Sequence, residues 1–207
     1  MKLILLVALT IQVSEHSVLT QGLFHHDEIE AEQGLSWMGL CHRDGQWTLK
    51  PMDPFIQREH DPLLDGEDEA TGWRVMTPGE KPLLLLGGSS GDLSAGPVET
   101  LFDQPVLLSA GMEVQLSDHE YLEVTEDGVF YRLGNGSQRL TDAYQNLHGE
   151  GVTLLWAGDI DRDGRTDLIF DDRAHYAYWI FLRVFLSSEA EPGNYLGEAG
   201  ELAGVSC

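Results

Sequence analysis

Short runs of alternating apolar and polar residues, broken by Asp-Gly and Asn-Gly pairs, constrain this chain more than any other feature. Such pairs supply the positive φ angles of two-residue hairpin turns, so each one marks a reversal between antiparallel strands. Asp44-Gly45 separates the apolar-rich residues 35–41 from residues 46–50. Asp127-Gly128 separates residues 121–124 from residues 129–133, and Asn135-Gly136 leads into residues 138–140. Residues 112–116 alternate cleanly, which adds a strand before these and makes a meander. Four consecutive leucines at 83–86, ended by Gly87-Gly88, predict a fully buried strand. Residues 152–156, 168–170 and 176–186 predict three more strands. Residues 51–72 hold Pro51, Pro54 and Pro62 and the acidic run 65–69, so they are expected to form a solvated loop. The expected fold is mainly β, with antiparallel meander or sandwich-like sheets and little helix. Residues 21–100 would be an N-terminal β region with an acidic loop, and 101–207 a meander; one domain over 21–207 is the alternative.

Acidity narrows the possible partners. The formal net charge is −23 over 207 residues. A field of that sign repels nucleic acids and anionic lipid surfaces and attracts divalent cations. It also keeps a chain soluble in a salty or extracellular medium.

The first residues read Met1-Lys2, then a mainly apolar block over residues 3–13, then polar residues from Ser14. One cation followed by an apolar block too short to span a bilayer fits an export leader, with cleavage expected near Thr20. The competing reading makes residues 3–13 a buried first strand. The expected location is secreted or periplasmic, with no membrane insertion of the mature chain. Cys41 and Cys207 are the two cysteines. In an exported chain they could pair, and two separate thiols are equally consistent with the sequence.

One segment carries sharper chemistry. Residues 159–167 place Asp159, Asp161 and Asp163 at loop positions 1, 3 and 5, Gly164 at 6 and Asp167 at 9. Calcium takes six to eight oxygens, and alternating carboxylates converge on one centre when the backbone curls around it. Gly164 permits the sharp reversal, the main-chain carbonyl of Arg165 can then face inward, and Asp167 closes the sphere. An EF-hand would need Glu at position 12, where Phe170 stands, and helices on both sides. A calcium-binding hairpin loop between two strands is therefore expected near the C-terminus.

Residues 158–169 resemble the D-x-D-x-D-G-x-x-D-L calcium loop of FG-GAP/VCBS repeats, found in integrin α-subunit propellers and many secreted bacterial proteins. The flanking residues 154–158 and 185–193 resemble bacterial secreted proteins with one such loop near the C-terminus. The resemblance implies that Asp159, Asp161, Asp163 and Asp167 are the side-chain ligands. The chain has one copy of the loop, whereas a propeller needs at least four blades.

Other constellations have simpler readings. Gly87-Gly88-Ser89-Ser90-Gly91 matches the G-x-S-x-G elbow of hydrolases, yet Gly96 and Pro97 follow where an elbow needs a helix. His25-His26-Asp27-Glu28 offers ligands for a transition metal, although adjacent histidines on one segment rarely face one ion. His175 suits packing or solvent better than calcium. Asp171 and Asp172 either end a strand or add charge near the loop. Trp156, Tyr176, Tyr178 and Trp179 fit core packing better than a carbohydrate surface. Asn135-Gly136-Ser137 is a glycosylation pattern that the hairpin already explains. The expected protein is a calcium-binding, non-enzymatic surface or interaction module, with a protein or glycan as partner. A secreted hydrolase with a calcium-stabilised β fold is the alternative.

Overall fold

A computed structural model describes residues 16–29, 35–88, 93–141, 152–172 and 178–205. Within them the chain is all β, with eighteen strands and no helix. Three antiparallel sheets stack into layers, and a small fourth sheet lies beside the first.

The first sheet has the order β1 (Ser17–Leu19), β7 (Leu85–Gly88), β3 (Ser36–Arg43), β4 (Gln46–Met52), β8 (Gly96–Pro97). The β3–β4 turn forms where expected, because Asp44 (φ +53) and Gly45 (φ +80) both adopt the left-handed backbone of a type I′ turn. The leucine run becomes β7, with Leu84, Leu85 and Leu86 all buried.

The second sheet runs β10 (Val106–Leu107), β15 (Thr153–Asp159), β16 (Asp167–Asp171), β17 (Tyr178–Leu186), β18 (Gly197–Val205). Strand β9 (Glu99–Phe102) joins it along β15. The third sheet is the expected meander, in the order β11 (Glu113–Gln115), β12 (Glu120–Thr125), β13 (Gly128–Leu133), β14 (Gly136–Arg139). Its last turn differs by one residue from expectation. Leu133 pairs with Gly136, so the corners are Gly134 (φ +57) and Asn135 rather than Asn135 and Gly136. Gly134 tolerates positive φ as readily as Gly136, which is why the turn can sit one residue earlier.

The second sheet is the middle layer, which explains its sequence. One face packs Trp156, Ile169, Leu182 and Val184 against Leu40, Leu49 and Leu85 of the first sheet. The other packs Leu154, Leu168, Phe170 and Phe185 against Leu122, Val124 and Val129 of the third. A strand covered on both faces cannot alternate, hence the continuous apolar runs Leu168-Ile169-Phe170 and Val184-Phe185-Leu186. Phe170 meets Phe185 edge-on at 5.8 Å. Truncating Phe170 to Ala would cost about 3–5 kcal/mol.

Residues 51–72 correct the expectation of a solvated loop. They contain β5 (Phe55–Glu59), which pairs with β6 (Gly72–Met76), and β6 pairs with β2 (Gly22–Phe24) in the small sheet. Ile56 packs toward the core and Arg58 lies 3.6 Å over the Trp73 ring, so cross-strand contacts outweigh the flanking prolines.

Strand β1 pairs with β7 and buries Val18 and Leu19 in the core between the first two sheets. Removing residues 1–20 would remove β1. A leader whose loss spares the sheet must end before His16.

Candidate metal centre

The acidic loop connects β15 to β16, two central strands of the middle layer, so its ends are held rigidly. Gly158 pairs with Asp167 across the hairpin. A Cβ on Gly158 would lie 2.1 Å from the Glu99 carbonyl oxygen and 2.5 Å from the Trp156 ring, so only glycine fits there. The Ile160 side chain is fully buried and anchors the loop in the core. Gly164 turns the chain at φ +82, as its position in the sequence predicted. Arg162 also takes a left-handed conformation, φ +66, and its Nη1 donates to Ser94 Oγ at 3.0 Å.

Three of the expected ligands converge. Carboxylate oxygens of Asp159, Asp161 and Asp167 lie within 4.8 Å of one another, close enough to share one cation. Asp167 is 0% exposed. Its Oδ2 accepts the Ile160 amide at 2.7 Å and its Oδ1 the Ser187 amide at 2.8 Å, which ties both ends of the loop to the start of the next connection. Burial pushes its carboxyl up to about 7, and the neighbouring charges of Asp161 and Asp159 add to the rise against the two amide bonds. Asp159 is also raised, first by burial, with Asp161 and Asp163 contributing. Its Oδ2 accepts the Gly164 amide at 3.0 Å. Its Oδ1 is buried and has no hydrogen-bond partner. Asp161 accepts the Asp163 amide at 3.1 Å and the Ser188 hydroxyl.

Asp163 stands apart from the triad. Its carboxylate accepts Arg165 Nε at 2.8 Å, the Arg165 amide at 2.9 Å and the Ser187 hydroxyl at 2.9 Å. Arg165, expected to offer its carbonyl, thus uses its side chain to neutralise one of the expected ligands. Carboxylates crowded on one turn repel each other, and an adjacent guanidinium relieves that in one place.

The sequence reading missed the residues that brace the loop from outside it. Ser187 and Ser188 follow β17 and reach three of the four aspartates. Glu120 on β12 accepts Thr166 Oγ1 at 2.7 Å, Ser117 Oγ at 3.0 Å and Tyr131 OH at 2.9 Å, linking the loop to the third sheet.

No family model matches the chain, and comparison with curated proteins and with solved structures finds no significant match. The resemblance to FG-GAP/VCBS loops is carried by residues 158–169 alone.

The remaining candidates separate from this centre. Asp171 and Asp172 lie at the opposite end of β16 from Asp167, and Asp172 pairs with Arg183 Nη1 at 3.1 Å. Trp156 is fully buried core. His25 Nδ1 lies 2.5 Å from Asp61 Oδ2, while the His26 carbonyl accepts Trp73 Nε1 at 3.3 Å. Cys41 is a buried free thiol. Ser89, Tyr176, His175 and Cys207 lie outside the described residues, as do the side chains of Tyr178 and Trp179.

The donor set consists of oxygens only, on an irregular loop. That suits a hard divalent cation and offers nothing to soft metals.

Proposed function

We propose that this protein is a calcium-stabilised β module, exported from the cell, that works by binding a protein or glycan rather than by catalysis. One observation carries the metal reading. Three carboxylates converge at the head of a rigid hairpin, and a buried oxygen of one, Asp159 Oδ1, has no hydrogen-bond donor. A buried anionic oxygen without a donor is costly, and a cation shared by the triad offsets that cost and the mutual repulsion. Calcium fits better than magnesium because an irregular loop of carboxylates suits its flexible coordination, whereas magnesium demands a near-ideal octahedron. Asp163 with Arg165 would flank the ion rather than complete its sphere.

Export rests on the apolar block at residues 3–13 and on millimolar calcium outside cells, which matches loops that bind at about 10⁻⁴ to 10⁻³ M. Thermal melts in calcium and in chelator test the metal. The melting temperature should rise with calcium, and identical curves would remove the reading. Cell fractionation with N-terminal mass determination tests export. A mature chain beginning between residues 14 and 16 is expected, and an intact Met1 in the cytosolic fraction would overturn it.

A further inference from the structure

Exposed apolar side chains are concentrated on one hairpin. Among the described residues six large apolar side chains are exposed, and four of them, Phe55, Leu63, Leu64 and Met76, belong to β5, β6 and the connection between them. Phe55 and Met76 are register partners at the open end of the hairpin, 54% and 40% exposed. Leu63 and Leu64 stand in the connection at 57% and 58%. Between these two apolar ends runs β5, about 14 Å long. It is the last strand in the order β2-β6-β5, so among the described residues no strand pairs with its outer edge.

Charged side chains commonly guard such an edge against other strands. Here the two charged residues of β5 are engaged within the hairpin. Arg58 lies 3.6 Å over the Trp73 ring and donates to the Thr71 carbonyl, and Glu59 accepts Arg74 Nε at 2.8 Å and Nη2 at 2.6 Å. The connection is fixed as well. Asp61 Oδ1 holds the amides of Leu63 and Leu64, and Asp65 Oδ2 those of Asp61 and Thr71. An apolar pair held in place beforehand loses little entropy on docking. We propose that this hairpin is the docking surface for an extended segment of a partner protein, with alternating apolar and basic side chains, that adds to β5 as a further strand. The proposal rests on the binding reading given above, names the class of partner within it, and does not depend on the metal centre.

Charge and geometry select that occupant. Glu67, Asp68 and Glu69 are exposed in the same connection, so basic side chains are attracted to it. The edge of β5 offers main-chain donors and acceptors at strand spacing, which an extended polypeptide matches and a glycan does not. A second copy of the chain brings another net charge of −23, and an anionic lipid surface is repelled in the same way.

The test titrates the whole protein into a fluorescent peptide of alternating lysine and valine, read by anisotropy at about 0.15 M salt. The peptide should bind with Kd of about 0.1 mM, and hydrogen exchange should slow at the β5 amides. A lysine–serine peptide, and the lysine–valine peptide N-methylated on every amide, should each bind at least about tenfold more weakly. Phe55→Ser, and Leu63→Ser combined with Leu64→Ser, should each weaken binding about threefold to tenfold. Their melting curves should match the native one, because all three side chains are exposed. Equal binding of either control peptide, indifference to these serine substitutions, or no binding at all would overturn the proposal. Binding that protects amides away from β5 would overturn it while leaving the wider binding reading in place, and calcium melts read the metal centre separately. Self-association in sedimentation that Phe55→Ser abolishes would assign the edge to a second copy and overturn it too.

Discussion

Two acidic loops in this protein solve the same electrostatic problem in opposite ways. In residues 61–71, Asp61 is buried and the half-buried Asp65 has a shielded side chain, and the protein itself satisfies both. Asp61 Oδ1 accepts the amides of Leu63 and Leu64 at 2.9 and 3.3 Å, and its Oδ2 meets His25 Nδ1. Asp65 Oδ2 accepts the amides of Asp61 and Thr71 at 2.8 and 2.7 Å, and its Oδ1 takes the Thr71 hydroxyl. Burial pushes Asp65 up, yet these hydrogen bonds outweigh it and hold the carboxyl at about 2. In residues 159–167 the carboxylates face one another, Asp159 Oδ1 has no donor, and Asp167 is raised to about 7. Acidic composition alone therefore does not identify a metal loop. The donors available to each oxygen are what separate the two loops.

The sharpest break of this contrast is Asp167→Ala. It leaves the buried amides of Ile160 and Ser187 without acceptors and should cost about 3 kcal/mol, lowering the melting temperature by about 6–12 °C and removing any response to calcium. Retained calcium response in that variant would break the assignment. Asp61→Ala removes two amide acceptors and the His25 partner and should cost about 2 kcal/mol, by the same amount in calcium and in chelator. A calcium-dependent loss there would mean that the first loop also holds an ion.

Asp161→Asn keeps the turn but removes a converging charge. At calcium tenfold above Kd the native protein should gain about 1.4 kcal/mol, and the variant should lose that gain with little change in chelator. Acid and base sharpen the same comparison. Asp167 has a folded pKa raised above its unfolded value of 3.8, so the chelated fold binds the extra proton and loses stability as pH rises from about 4 to about 7. Protons and calcium compete for it, so the gap between calcium and chelator melts should be small at pH 5 and full at pH 8. Asp65 behaves oppositely. Its depressed pKa contributes stability above 3.8 that is lost as pH falls toward about 2, with or without calcium. The smallest effect belongs to Arg165→Ala, which cuts an exposed pair with Asp163 and should change chelator stability by less than about 0.5 kcal/mol. If the freed Asp163 then joins the triad, calcium affinity rises, which titration would detect.

Much of the fold was legible because its signals are local. The β3–β4 turn follows from Asp44-Gly45, and β7 from its leucine run. Strand β5 was hidden because Phe55–Glu59 lies between prolines and acids, and its fit depends on Arg58 meeting Trp73 from a different strand. The triad was legible from spacing, since Asp159, Asp161 and Asp167 come together within one hairpin. The contact of Asp163 with Arg165 was not, because alternating aspartates do not announce a guanidinium partner two residues on. Ser187 and Glu120 reach the loop across other strands, and no local pattern announces that.

The main-chain amide of His16 donates to the carbonyl of Ala199 at 3.1 Å, while the next residues pair with β7. The earliest described strand thus cannot reach its final place until nearly the last one has been synthesised. Contacts this distant along the chain make folding slow, on the order of milliseconds to seconds for β-rich topologies. The net charge of −23 acts throughout that interval, and like-charge repulsion between incompletely folded copies opposes their association before the sheets have closed.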